Sequence, residues 1–163
     1  MHDRGNGLVD ALMATARMLV SLTARSLAEV DASVTLPQYR TLVILAGSGP
    51  RRIIDLAADL NVQPSTATRM CDRLARKGFV EREARADDRR VVWVVLKDAG
   101  RELVGTMMER RRAYLADLVA SVELRDPSVV PALVDVMQAL ASAAGEVSEA
   151  DWQTQWDAQA PSR

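Results

Sequence analysis

Apolar residues recur along most of this chain at the three- and four-residue spacing of a helix buried on one side, and a single segment departs from it. Over residues 8–30, Leu8, Val9, Leu12, Met13, Ala16, Leu19, Val20, Thr23, Leu27 and Val30 make one stripe, and Ala11, Met18 and Leu22 make a smaller apolar patch on another side. A helix with two apolar sides must be covered twice, and the second cover comes from its own chain or from a partner. Thr35-Leu36-Pro37-Gln38 has the form of a capping box, and the helix that it opens over 36–46 stops at Gly47-Ser48-Gly49-Pro50. Ile53, Leu56, Ala57 and Leu60 line one face of a short helix, after which Asn61-Val62-Gln63 leaves room only for a tight turn. In the next helix, over 64–77, Ala67, Met70, Cys71, Leu74 and Ala75 turn inward. Ser65, Arg69, Asp72, Arg73 and Arg76 turn outward, with Thr66 and Thr68 at the margins. Pro64 suits a first helical turn and Gly78 the position just past the end.

After Gly78 the period changes. Residues 79–83 and 91–96 are β-rich runs separated by the polar segment 84–90, which reads as a hairpin. Helical spacing then returns over 98–122, a helix about 37 Å long at 1.5 Å per residue, and over 128–145, where Pro131 is tolerable because it lies in the first turn. Trp152 and Trp156 stand one turn apart in the tail, where they pack against the first or last helix more readily than they form a ligand cage.

The pattern predicts a mainly α protein with a small β-hairpin wing. Its winged helix-turn-helix core (35–97) is flanked by a long N-terminal dimerisation helix (1–34) and C-terminal dimerisation helices (98–148), with a tail at 149–163.

Charge gives the central segment a direction. The chain has a formal net charge of −1, but residues 51–101 hold 12 Lys+Arg against 8 Asp+Glu, while the flanks hold 9 against 14. A basic excess on a helix-turn-helix permits DNA binding. A helix with short polar side chains and Arg on its outer N-terminal half enters a major groove, since short side chains allow close approach and Arg reaches guanine edges or phosphates. Gln63, Ser65, Thr66, Thr68 and Arg69 are the candidates for base edges, and Arg73 and Arg76, further from the helix start, for phosphates. On the hairpin, Arg85, Asp88, Arg89 and Arg90 make a basic loop beside that helix. The plainer alternative is a winged-helix module for protein partners, with its arginines merely solvated and Arg90–Asp88 a surface ion pair.

The remaining chemistry is sparse. Cys71 is the only cysteine and excludes an intrachain disulfide; its place on the inner face favours packing over redox sensing. The one histidine, His2, excludes a His-based metal site, so no metal and no cofactor is expected. Arg110-Arg111-Arg112 reads most simply as a solvated helix face. No apolar run approaches the roughly 18 residues of a membrane span and no signal-peptide pattern opens the chain, so a soluble, cytoplasmic protein without membrane contact is expected. With no glycine loop for phosphate, no nucleophile elbow and no converging titratable groups, an enzyme is not expected.

Together with the order of elements, four stretches resemble the MarR family of bacterial transcription regulators. They are Ile54-Asp55-Leu56-Ala57-Ala58-Asp59-Leu60, Ser65-Thr66-Ala67-Thr68-Arg69-Met70, Leu74-Ala75-Arg76-Lys77-Gly78-Phe79-Val80 and Asp87-Asp88-Arg89-Arg90, and the likeness covers residues 8 to about 145. The resemblance implies an obligate homodimer paired through its terminal helices and a recognition helix in the major groove. It also implies that Arg90 enters the minor groove, held by Asp88. In that family anionic aromatic compounds often bind where the dimer helices meet the DNA-binding lobe. Arg17 and Tyr39 are the groups here that would line such a site, against the favoured reading of an ordinary surface Arg and a half-buried Tyr. Where the family usually has Leu-Thr before the next helix, this chain has Leu96-Lys97, which leaves Asp98 to cap it. The expectation is a homodimeric repressor of a palindromic operator, released by a small aromatic or anionic ligand, with a regulator that answers only to its own abundance as the variant.

Overall fold

The middle helix of the chain carries the core, and its sequence shows why: Tyr39, Leu42, Leu45 and Ala46 fall at spacings of three, three and one, so one face is continuously apolar. In the computed structural model, residues 2–85, 88–122 and 126–159 are described, with side chains at all of these but 2–5, 85 and 88–90. The elements in order are α1 (His2–Asp31), α2 (Leu36–Ser48), β1 (Arg51–Arg52), α3 (Ile53–Asp59), α4 (Pro64–Arg76), β2 (Val80–Arg85), β3 (Asp88–Leu96), α5 (Asp98–Ser121), a 3-10 turn (Pro127–Val129), α6 (Val130–Ala143) and α7 (Glu149–Ala158). Leu42 and Leu45 of α2 are fully buried against Leu56 of α3, Leu74 of α4, Val94 of β3 and Val104 and Met107 of α5. At such sites Leu→Ala costs about 2–5 kcal/mol.

Local chemistry sets the boundaries. The Gln38 carboxamide accepts a hydrogen bond from the Thr35 N–H at 3.0 Å, which fixes the start of α2. Gly78, at φ +77, takes the left-handed conformation that ends α4. Gly100 lets α5 approach the wing, because a Cβ there would lie 2.3 Å from the Phe79 carbonyl oxygen. The cap expected of Asp98 is not made: Lys97 is the N-cap residue and makes no side-chain cap bond, while Asp98 sits in the first turn. There its charge still favours the positive end of the helix.

The sheet differs from a simple hairpin in two ways. It has three antiparallel strands in the order β1-β3-β2, with Arg51 opposite Val94 and Arg52 opposite Trp93. A two-residue strand is too short to show as alternation. The strands β2 and β3 also run past the expected ends at 83 and 91, pairing as far as Arg85 opposite Asp88 with an irregularity at Ala84/Arg85. Ladder hydrogen bonds need only backbone, so the polar side chains of 84–90 do not stop them.

Only the C-terminal part of α1 is packed. Leu22 and Leu27 are buried, whereas Leu8, Val9, Met13 and Val20 are exposed. Against expectation, residues Asn6–Asp31 are long and apolar enough, by length and composition, to cross a membrane, with mean hydropathy 1.3. Leu, Val, Met and Ala set that mean, while interspersed Asp10, Arg17, Arg25, Ser and Thr break the continuous apolar run that the sequence reading looked for. In α6 no residue is buried, and Leu133, Val134, Met137 and Leu140 remain open. The tail folds as a helix whose tryptophans pack on α2 and α5, not on the first or last helix.

Candidate nucleic-acid interface

A turn of three residues aims α4 outward from the core. Leu60 and Val62 donate back to Leu56 and Ala57, and Asn61, at φ 51, makes the reversal. Gln63 then caps α4 with extended backbone (φ −68, ψ 145), its carbonyl accepting from the N–H groups of Thr66 and Ala67, while Pro64 in the first turn costs no hydrogen bond. Ala67, Met70, Cys71 and Leu74 are buried and Ala75 is half-buried. Gln63, Ser65, Arg69, Arg73 and Arg76 are exposed on the other side, as the periodicity requires, with Thr66 and Thr68 half-buried at the margins.

Not every outward residue is equally available. The Thr68 hydroxyl donates to the Pro64 carbonyl at 2.9 Å, so it presents a methyl group and an acceptor. Asp72 is taken by Arg82 of β2, an ion pair that ties the wing to α4. Among the described residues, Arg69, Arg73 and Arg76 form no ion pair, which leaves three cations along one face of α4. A Lys77 hydrogen bond to the Ser33 carbonyl anchors the end of that helix to the α1–α2 turn.

The wing stands beside this face, with Arg85 closing β2 and Asp88, Arg89 and Arg90 opening β3. The side chains of these four lie outside the described residues, as therefore does the expected Asp88–Arg90 contact.

Cys71 is 1% exposed, and burial pushes its thiol up to about 11 from the usual 9.0. It is thus protonated and sealed at neutral pH, the packing role expected of it.

A cavity of about 470 Å³ opens where α1, α2, the turn before α4 and α5 meet, lined by Thr23, Tyr39, Val43, Val62, Met70 and Arg111 among others. Tyr39 is buried rather than half-buried, and its hydroxyl faces the Arg111 guanidinium without a well-formed hydrogen bond. Burial raises its pKa, opposed by the Arg111 guanidinium beside it. The Nε of Arg111 is likewise buried without a partner. Arg17, by contrast, is exposed on α1 and does not line this cavity. Arg111 was missed because it was read with its neighbours as a solvated run. Its spacing from Met107, Met108 and Leu115 places it on the apolar side of α5, and that signal was present in the sequence.

Such a fold, with an outward Arg-bearing helix flanked by a hairpin, defines a winged helix-turn-helix protein. The sequence pattern of the MarR family matches residues 34–92. An HTH-type transcriptional regulator of Mycobacterium tuberculosis is 33% identical over 107 residues, 66% of this chain and 75% of the relative. The crystal structure of RV1404, also from Mycobacterium tuberculosis, is 37% identical, covers 88% of this chain and 96% of its own, and superposes with a TM-score of 0.79. FabT of Streptococcus pneumoniae, solved in complex with DNA, shares the fold at 19% identity, 88% and 99% coverage and a TM-score of 0.64. The chain belongs to the MarR family and is a DNA-binding transcription regulator.

Proposed function

We propose that this regulator works as a homodimeric repressor of a palindromic operator and that a small aromatic or anionic molecule releases it. The observation that carries the dimer is α6, an apolar helix that buries nothing in its own subunit. Together with the bare N-terminal part of α1, it gives residues 1–34 and 98–148 a surface that a second copy covers. A two-fold pairing presents two α4 helices to successive major grooves, about 34 Å apart. Gln63, Ser65, Thr66, Thr68 and Arg69 then meet base edges, Arg73 and Arg76 meet phosphates, and the wing residues Arg85, Arg89 and Arg90, with Asp88, meet the neighbouring minor groove. That FabT, which shares the fold, was solved in complex with DNA supports DNA as the partner.

Release uses the Tyr39–Arg111 cavity. The Tyr39 hydroxyl and the Arg111 guanidinium lie side by side in the cavity wall, a hydrogen-bonding and cationic pair that a carboxylate or phenolate would engage. The cavity touches both halves of the subunit. A ligand preferring one angle between them therefore shifts the spacing of the readers.

Selection of duplexes by the purified protein from a random-sequence pool tests the reading. An inverted repeat with half-site centres about one helical turn apart, bound with log affinity falling steeply with log salt, is the expected result. Recovery of an unpaired half-site, or of no sequence at all, would sink it. Phenolic acids are then titrated into the selected complex, where Arg111→Gln is expected to lose any release that the wild-type protein shows.

A further inference from the structure

The paired tryptophans of the tail include Trp152, the one buried residue among those described after Val122. Ser148 caps α7, accepting from the Asp151 N–H at 3.1 Å. Trp152 and Trp156 stack at 5.3 Å between ring centroids with 15° between planes. Trp152 is 9% exposed and lies in a notch at Gly47 in the last turn of α2; a Cβ there would stand 2.3 Å from two indole atoms. Trp156 covers Gly105 of α5, where a Cβ would meet the ring at 3.5 Å. The Arg101 guanidinium, also on α5, sits 3.8 Å from the Trp156 ring centroid and donates to the Trp156 carbonyl. Gln159 donates to the Ala46 carbonyl of α2 at 2.8 Å, and Arg112 of α5 pairs with Glu149 at 2.7 Å.

These contacts join two helices with different destinations. Past Gly47, α2 runs through Gly49, at φ +72, and Pro50 into β1 and α3, the start of the reading lobe. In the other direction α5 runs from the wing out to the bare end of the subunit. An angle between α2 and α5 is therefore an angle between the reader and its support. Trp152 fills a gap that depends on Gly47 of α2, and Trp156 lies in ordinary contact with Gly105 of α5. Beside Trp152 a cavity of about 810 Å³ opens between α5, Val43 of α2 and residues 146–149, while on the core side Leu42 and Leu45 of α2 pack directly on Val104 and Met107 of α5.

We propose that α7 is an intrasubunit strap: it fixes the reading lobe on α5 through the Trp152–Gly47 and Trp156–Gly105 contacts, and so sets the separation of the two recognition helices. This inference rests on the homodimer reading. The test places a nitroxide on exposed Ala58→Cys of α3, since buried Cys71 does not take the label, and measures the distance between the two subunits by electron–electron dipolar spectroscopy. Two full-length variants lift the strap from opposite sides, Gly47→Ala from α2 and Trp152→Ala with Trp156→Ala from α7. In both, the expected result is a broader or displaced distance distribution. Affinity for the duplex that the wild-type protein selects is expected to fall about tenfold, as when only a tenth of the molecules hold a competent spacing. Combining all three substitutions is expected to add nothing, because either route removes the same contact. A lower melting temperature with unchanged distances and affinity below the melt would overturn the strap and leave α7 as packing alone, and so would altered distances with unchanged affinity. Absence of any dipolar signal in the wild-type protein would count against the dimer instead.

Discussion

Cys71 and Tyr39 show how much a single buried group commits. With its thiol raised to about 11 in the folded chain against 9.0 outside it, Cys71 stabilises the fold fully below about pH 9, and that contribution is lost as pH rises toward 11. Two pKa units correspond to about 2.7 kcal/mol. The urea midpoint of the wild-type protein is therefore expected to fall over that window more than that of Cys71→Ala; parallel pH profiles would show that the thiol is not desolvated. Tyr39→Phe removes a buried hydroxyl that meets only the Arg111 guanidinium, so the ligand-free protein is expected to change in stability by no more than about 1 kcal/mol. A large loss in thermal denaturation would mean that the hydroxyl is satisfied after all. On the recognition face, Arg69→Ala is expected to cost about 1–3 kcal/mol of preference for the selected duplex over scrambled DNA. Arg76→Ala is expected to weaken both duplexes alike and to reduce the salt slope by about one. The reverse pattern in filter binding would exchange their roles.

Elements were legible in proportion to their length and to the strictness of their period. The face of α4 followed from the spacing of Ala67, Met70, Cys71 and Leu74, and the α2 start from Thr35 and Gln38, because these signals are local. The two residues of β1 left no trace, and the reach of β2 and β3 into a charged segment could not be seen, since backbone pairing ignores side-chain polarity. Arg111 was misjudged for the opposite reason: a conspicuous run of three arginines hid a position that the helical period assigns inward. The tail was unreadable beyond its spacing, as the notches that receive Trp152 and Trp156 lie at glycines more than fifty residues away in sequence. One departure makes an element-scale prediction. With Lys97 at an N-cap that makes no side-chain bond, Lys97→Thr is expected to raise the stability of α5 by about 1 kcal/mol, read as a higher denaturation midpoint. No gain would mean that the first-turn Asp98 already satisfies that helix end.

At the scale of the molecule, the core gathers around α2 while the N-terminal part of α1 and the whole of α6 are left bare. Leu133→Glu with Leu140→Glu places charge on the exposed side of α6 without touching the lobe. Sedimentation is expected to show single subunits, with the helical signal of the lobe retained and affinity for the selected duplex largely lost. Paired subunits in that variant would move the interface elsewhere. The nakedness of α6 has a further consequence. If a second copy covers α6, as proposed, completing the fold is a second-order event, and the denaturation midpoint is expected to rise with protein concentration. Under that proposal, operator occupancy would grow with the square of the number of chains wherever most chains are still unpaired. In that regime, doubling the gene dose would quadruple the paired regulator, and the bare helix would set a threshold on its amount.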